Sequence, residues 1–270
     1  MKSPLAITCR AHSGGRILSD IYEQAGIQMG SLFPKTKDTI FFSIRKNNIV
    51  KELILKSGKY PDLPAKRIEY FKRQMQNCID QYIQQEIKDT SKPYGWKFGE
   101  TIFVLPYLFD IAPNARVIHL IRDGRDVMLS RIPARFDDNF HDPFNKRMIF
   151  GKASQLKYKG EVLKPEVIDK YRTELELIHW QTVIEFSKRL RVYQNQYLEV
   201  RYEDLCQNPK EILNTISEFI EVPFDKNVYG WAEENISASR IAKWKKEDIN
   251  EIKEVSQIAE STLREYSYWF

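Results

Sequence analysis

The run Arg116-Val-Ile-His-Leu-Ile-Arg122-Asp-Gly-Arg-Asp-Val-Met-Leu-Ser130 constrains the chain most. Val117 to Ile121 is short, apolar and rich in β-branched residues, the composition of a strand buried on both faces. It empties into charged turn residues and then a helix, so Arg122 stands at the strand end and Ser130 about two turns into the helix. Ligands of open α/β sheets bind outside the carboxyl ends of the strands. An arginine and a serine so placed can face one anion.

The same rhythm occurs twice before. Leu5 to Cys9 reads as a strand, Arg10-Ala-His-Ser-Gly-Gly-Arg16 as a loop, and Ile17, Leu18, Ile21, Tyr22 and Ala25 fall at helical spacing. Tyr94-Gly-Trp-Lys-Phe-Gly-Glu100 reads as a short strand ending in a turn, with a helix from Thr101 to Ile111. Repeated strand–helix units imply a parallel sheet, because parallel neighbours need a crossover that a helix supplies. The expected fold class is therefore α/β, with a P-loop-like central parallel sheet flanked by helices on both faces.

Other segments fill in this frame. Apolar positions three to four apart from Leu63 to Ile87 predict a long amphipathic helix, and Pro165 to Arg191 predicts another, with Trp180 in its packing. Tyr197 to Tyr202 reads as a strand, Glu211 to Ile220 as a helix, and a further helix begins near Ile249. Between Pro133 and Lys159 the pattern loses its period. Long irregular stretches in compact domains usually cover a site, so 133–160 is expected to be a lid or acceptor wall in a single domain spanning 1–270. His141 within it reads as a surface histidine.

Charge and cysteine usage narrow the function. The 42 basic and 37 acidic residues are interspersed and leave a net charge of +5, which favours anions without requiring nucleic acid. A small phosphorylated ligand suffices. Cys9, Cys78 and Cys206 are too few and too scattered for a disulfide framework or a zinc site, so no metal is expected. No stretch reaches the length of a membrane span, and the expectation is a cytoplasmic protein.

The first loop is built for an anion. Gly14 and Gly15 allow close backbone approach, a helix N-terminus follows, and His12, Ser13 and Arg16 add donors. It is not a Walker A loop, because no Lys-Ser or Lys-Thr pair closes it. Asp38 lies in the loop after the first helix, and Lys97 and Glu100 lie near a strand end, where charges can face a ligand. Arg240, Lys243, Lys245 and Lys246 form a basic segment before the last helix.

Together these stretches resemble the sulfotransferase superfamily, whose members use 3'-phosphoadenosine 5'-phosphosulfate (PAPS). Arg10 to Arg16 resembles the family's 5'-phosphosulfate loop, and Arg122 to Ser130 its 3'-phosphate motif, an arginine followed eight residues later by serine. Val200-Arg-Tyr-Glu-Asp-Leu205 resembles a further family stretch, and Arg240 to Trp244 the C-terminal basic segment. The resemblance implies that Ser13, Gly14, Gly15, Arg16 and Ile17 bind the 5'-phosphosulfate. It assigns the 3'-phosphate to Arg122 and Ser130, the adenine or ribose to Tyr202, and completion of the pocket to Arg240, Lys243 and Trp244. His12 stands where the family commonly carries Lys or Arg, and Gly15 and Arg16 replace two hydroxyl residues.

The implied reaction is in-line transfer of a sulfuryl group to an acceptor hydroxyl, with PAPS as co-substrate and no metal. His12 and Arg16 are the candidates for stabilising transferred and leaving oxygens, and Asp38 or Glu100 for the base, with Asp38 preferred. Two alternatives stay open: a catalytically silent nucleotide-binding relative and a P-loop-like ATP-dependent kinase. The acceptor and the oligomeric state are not legible.

Overall fold

The computed structural model describes residues 2–43, 47, 52–53, 63–131 and 172–270. These fall into two compact units. The first comprises Met1–Cys9, Gly14–Ile121 and Arg189–Ala238, and the second Arg10–Ser13, Arg122–Lys188 and Ser239–Phe270.

The first unit is built on four parallel strands, β1 (Pro4–Cys9), β2 (Tyr94–Lys97), β3 (Arg116–Ile121) and β4 (Tyr197–Arg201), in the order β2-β1-β3-β4. Its α/β class is the expected one. β1 is buried along its whole length and β3 from Val117 onward, as their continuous apolar runs require of central strands. Cys9 is in register with Leu120, so β1 and β3 end side by side. The chain moves from β1 outward to β2 on one side and to β3 on the other, which makes this pair of strand ends the switch point of the sheet.

Helices flank the sheet. α1 (Gly15–Gln24) buries Leu18, Ile21 and Tyr22, and α2 (Ala65–Glu86) buries Phe71, Met75, Cys78, Ile79, Tyr82 and Ile83, the stripe expected from their spacing. The Tyr82 hydroxyl donates to the Gly95 carbonyl at 2.5 Å, and Trp96 stacks on Phe42 with ring centroids 4.4 Å apart. The helix expected over Thr101–Ile111 divides into a 3-10 turn, Gly99–Val104, and α3, Leu105–Ile111. Pro106 explains the division. It has no N–H to continue an α-helical ladder, but it fits the first turn of a new helix.

The second unit holds α4 (Gly124–Arg131) and α5 (Arg172–Ser187). A Cβ at Gly124 would lie 2.6 Å from the Trp180 ring, so the glycine permits the two helices to approach closely. Trp180 is fully buried and its indole N–H donates to the Arg122 carbonyl at 3.0 Å. The expected helix Pro165–Arg191 ends earlier, at Ser187, in a 3-10 turn over Lys188–Val192, and its start lies outside the described residues. The lid or acceptor wall at 133–160, with His141, lies outside them as well.

After β4 the chain of the first unit enters a short α6 (Tyr202–Gln207). Pro209 then opens α7 (Pro209–Ile220), followed by α8 (Lys226–Asn235) under an Asp225 cap. In the second unit α9 (Ile249–Ser256) and α10 (Glu260–Glu265) follow the basic segment. Among the described residues no helix is long and apolar enough to cross a membrane.

Candidate active site

In the first unit the loop glycines are fixed by what lies against them. Gly14 has φ +91°, a conformation that costs glycine little, and a Cβ there would sit 2.4 Å from the Tyr202 ring. Tyr202 is buried and packs its ring against the loop backbone. A Cβ at Gly15 would lie 2.4 Å from Cys9 Sγ and 2.7 Å from Lys97 Cε. Ile17, half-buried in the first turn of α1, donates its N–H to the Gly14 carbonyl at 3.0 Å.

Beneath Gly15 the charged residues converge. Lys97 Nζ lies 2.5 Å from Asp38 Oδ1 and donates to the Thr36 carbonyl at 2.9 Å, with the Lys97 side chain 6% exposed and that of Asp38 28%. Burial pushes the Cys9 thiol up to about 11, against the lowering charge of Lys97, while the carboxylates of Asp38 and Glu100 raise it further. Cys9 is therefore a thiol at neutral pH and no nucleophile. Arg16 is exposed and donates to the Lys35 carbonyl at 3.3 Å, while Ser19 Oγ donates to the Lys37 carbonyl at 3.2 Å. These bonds fasten the Asp38 loop to α1.

In the second unit Arg122 and Ser130 meet on one residue. His12 Nδ1 is 3.0 Å from Ser130 Oγ, and Arg122 Nη1 donates to the His12 carbonyl at 3.1 Å. Arg122 Nη2 also reaches Asp126 Oδ2 at 3.2 Å and the Arg240 carbonyl at 2.5 Å. His12 has φ +71°, a strained value for a residue with a side chain, and strain of this kind collects at functional sites. Ser13 Oγ is buried and has no hydrogen-bond partner among the described residues. A buried hydroxyl without a partner is costly to leave so, and a ligand oxygen would satisfy it.

Behind His12 stands a buried ionic group for which the sequence carried no motif. Arg10 Nη2 and Arg131 Nε both bond to Glu176 Oε2, at 3.0 and 2.7 Å, and Glu176 is fully buried. His12 is solvent-accessible as a residue, yet withdrawal of its ring from water and the charges of Arg131, Arg10 and Arg122 lower its pKa to about 4, with Glu176 opposing. At neutral pH it is a neutral imidazole among three cations. Only the position of Arg10 at a strand end hinted at this group; Glu176 and Arg131 sit in ordinary helical sequence.

The basic segment is ordered by one aromatic residue. Arg240 and Lys243 are exposed, whereas Trp244 is buried, its backbone N–H donating to Asp126 Oδ1 and its indole N–H to Asp123 Oδ2, each at 3.1 Å. No group of His, Cys, Asp and Glu among the described residues has the arrangement to hold a metal ion.

The structure thus gathers His12, Arg122, Ser130, Arg240 and Trp244 in the second unit. In the first it gathers Gly14 and Tyr202, and, around Cys9, Gly15 with Lys97, Asp38 and Glu100. Lys97 is the site residue that sequence reasoning left without a role.

The model of the Sulfotransferase family matches residues 45–226, so the chain belongs to the sulfotransferase family. It is 26% identical over 127 residues to carbohydrate sulfotransferase 1 of Rattus norvegicus, covering 45% of this chain and 27% of that protein. It is also 26% identical over 190 residues to an uncharacterized protein of Aquifex aeolicus (strain VF5), covering 67% of this chain and 21% of that one. The chain therefore spans about a quarter of the length of these curated relatives. Among solved structures, the sulfotransferase domain from the Synechococcus PCC 7002 olefin synthase superposes with a TM-score of 0.55 at 16% identity, covering 100% of this chain and 97% of that one. The sulfotransferase domain from the curacin biosynthetic pathway gives 0.50 at 15% identity, covering 100% and 99%. At such identities these likenesses speak for the fold alone.

Proposed function

We propose that the chain transfers a sulfuryl group from PAPS to an acceptor hydroxyl as a single domain. The observation that carries this reading is the meeting of Arg122 and Ser130, eight residues apart, on His12 within a cluster of arginines. A 3'-phosphate is attracted by three arginines that face the two carboxylates of Glu176 and Asp126, and the planar fork of an arginine suits phosphate oxygens. Ser13 Oγ, buried and without a partner among the described residues, supports an oxygen-rich ligand at the loop. Gly14, Gly15, Arg16 and Ile17 take the 5'-phosphosulfate in this reading, Tyr202 the adenosine, and Arg240 and Lys243 the outer phosphate oxygens.

The step is an in-line displacement. The acceptor oxygen forms a bond to sulfur as the bond from sulfur to the 5'-phosphate oxygen breaks, and adenosine 3',5'-bisphosphate leaves. The acceptor's proton passes to a carboxylate, for which Asp38 is the first candidate and Glu100 the second. Charge on the equatorial and leaving oxygens is met by Arg16 and by hydrogen bonding from His12, in a reaction where positioning and electrostatics do most of the work.

A thermal-shift titration tests the donor. Adenosine 3',5'-bisphosphate is expected to raise the melting temperature well beyond ADP, because a ligand of the native state stabilises it. Equal shifts, or a preference for ATP, would overturn the assignment. Labelled PAPS offered with phenol, sugar and peptide acceptors then separates a transferase from a silent binder.

A further inference from the structure

Three charged residues inside the Arg122–Ser130 run have no part in the reading above, yet Asp123, Arg125 and Asp126 are 5%, 1% and 1% exposed. Burying charges costs several kcal/mol per ion unless partners compensate, roughly. Their partners therefore reveal what they hold. Arg125 grips both oxygens of Asp123, Nε to Oδ1 at 3.0 Å and Nη2 to Oδ2 at 2.7 Å, and Nη2 also donates to the Tyr268 carbonyl.

Two aromatic rings also lie against this guanidinium. Its carbon stands 3.7 Å from the Trp244 ring centroid and 4.9 Å from that of Phe270, and the two rings meet edge to face at 5.3 Å. Asp123 Oδ2, gripped by Arg125, accepts the Trp244 indole N–H. Asp126 divides its oxygens between the Trp244 backbone N–H and Arg122, and Arg122 reaches back to the Arg240 carbonyl. The circuit is closed: Arg125 fixes Asp123 and Trp244, and Trp244 brings the basic segment to the carboxylate that orients Arg122.

Two consequences follow. Trp244 is 6% exposed with Arg125 against its ring, a buried anchor rather than an open platform for stacking on a base. The basic segment, whose Arg240 and Lys243 side chains are exposed, is fastened to the start of α4 through that anchor.

We propose that Arg125 is a positioning residue for the 3'-phosphate end of the donor, holding Trp244 on Asp123 so that Arg122 and the basic segment favour nucleotides bearing a 3'-phosphate. The inference rests on the reading that Arg122 binds that phosphate. Arginine is needed there because lysine can supply the charge but not the fork that holds both oxygens of Asp123.

Calorimetric titration of the full chain with adenosine 3',5'-bisphosphate and with adenosine 5'-phosphate tests it. The ratio of the two affinities is measured in the wild type, Arg125→Lys, Arg125→Gln and Phe270→Ala. Phe270 is 47% exposed, so its truncation keeps the test available if Arg125→Gln does not fold. The expected result is a loss of roughly tenfold or more in the ratio for both Arg125 variants, from weaker bisphosphate binding alone, and a smaller loss for Phe270→Ala. An unchanged ratio in Arg125→Lys, or an equal loss for both nucleotides, overturns the proposal. A wild type without preference for the bisphosphate overturns the donor reading instead.

Discussion

His12 Nδ1 and Ser130 Oγ lie 3.0 Å apart, and the Arg122 guanidinium donates to the carbonyl of the same histidine. The loop residue and the two motif residues thus form one hydrogen-bonded group. Partial burial and the charges of Arg131, Arg10 and Arg122 lower the His12 pKa to about 4 from 6.5, so the balance of charge around the imidazole keeps it neutral at pH 7.

A bound phosphate reverses part of that balance, and this is measurable. Negative charge beside the imidazole favours its protonated form, so the His12 pKa rises when adenosine 3',5'-bisphosphate binds. A group whose pKa is higher in the complex takes up protons on binding, so affinity increases as pH falls through the bound-state pKa and levels off below the free-state value near 4. Ring-proton NMR titration of His12 with and without ligand checks the shift, and His12→Asn is expected to flatten this part of the pH dependence. A histidine titrating unchanged in the complex would contradict phosphate binding at this place.

The loop glycines give a steric prediction. Gly15→Ala places a methyl 2.4 Å from Cys9 Sγ and 2.7 Å from Lys97 Cε. Overpacking of this kind costs about 1–3 kcal/mol. Chemical denaturation should show that loss, and Cys9→Ala combined with Gly15→Ala should recover part of it, because the sulfur is gone while the flexible lysine can shift. If the double variant is as unstable as the sum of the single ones, the close contact with Cys9 is not the cause.

Asp38 and Glu100 are separated by kinetics. The ion pair with Lys97 at 2.5 Å and the bonds from α1 to the neighbouring loop hold Asp38 in place, as a base must be held. Asp38→Asn is expected to lower kcat by about two to four orders of magnitude, the usual worth of a positioned base, with donor affinity little changed. Glu100→Gln is expected to leave most of kcat. The reverse pattern would move the proton transfer to Glu100.

What could be read in the sequence followed from periodicity and from local chemistry. The apolar runs of β1 and β3 and the stripe of α2 are one-dimensional signals, and the structure contains those elements within a residue or two of the expected bounds. Arg122 and Ser130 stood out because they are eight residues apart, one just past the end of β3 and the other in α4. Glu176 was not: it lies far along the chain from both Arg10 and Arg131, and its meaning exists only where the three side chains pack together. Lys97 was visible as a charge near a strand end, but its place below Gly15 depends on the pairing of β1 with β2, in which Ile7 lies opposite Lys97. Arg125 reads in the sequence as one more charged turn residue because its ring partners, Trp244 and Phe270, are more than a hundred residues away.

Glu176 allows the charge cluster to be probed without touching a residue assigned to the donor. Both arginines use the same carboxylate oxygen, and the three side chains are 7%, 8% and 0% exposed for Arg10, Arg131 and Glu176. Glu176→Gln removes the carboxylate that two buried guanidinium groups share, a change that typically costs about 3–5 kcal/mol. The effect should extend to His12. The carboxylate is the one charge in the group that favours the imidazolium, so its removal pushes the His12 pKa below its value near 4. Denaturation curves and the His12 titration are therefore expected to move together, and a His12 pKa that rises in Glu176→Gln would mean that the arginines have turned away from the loop.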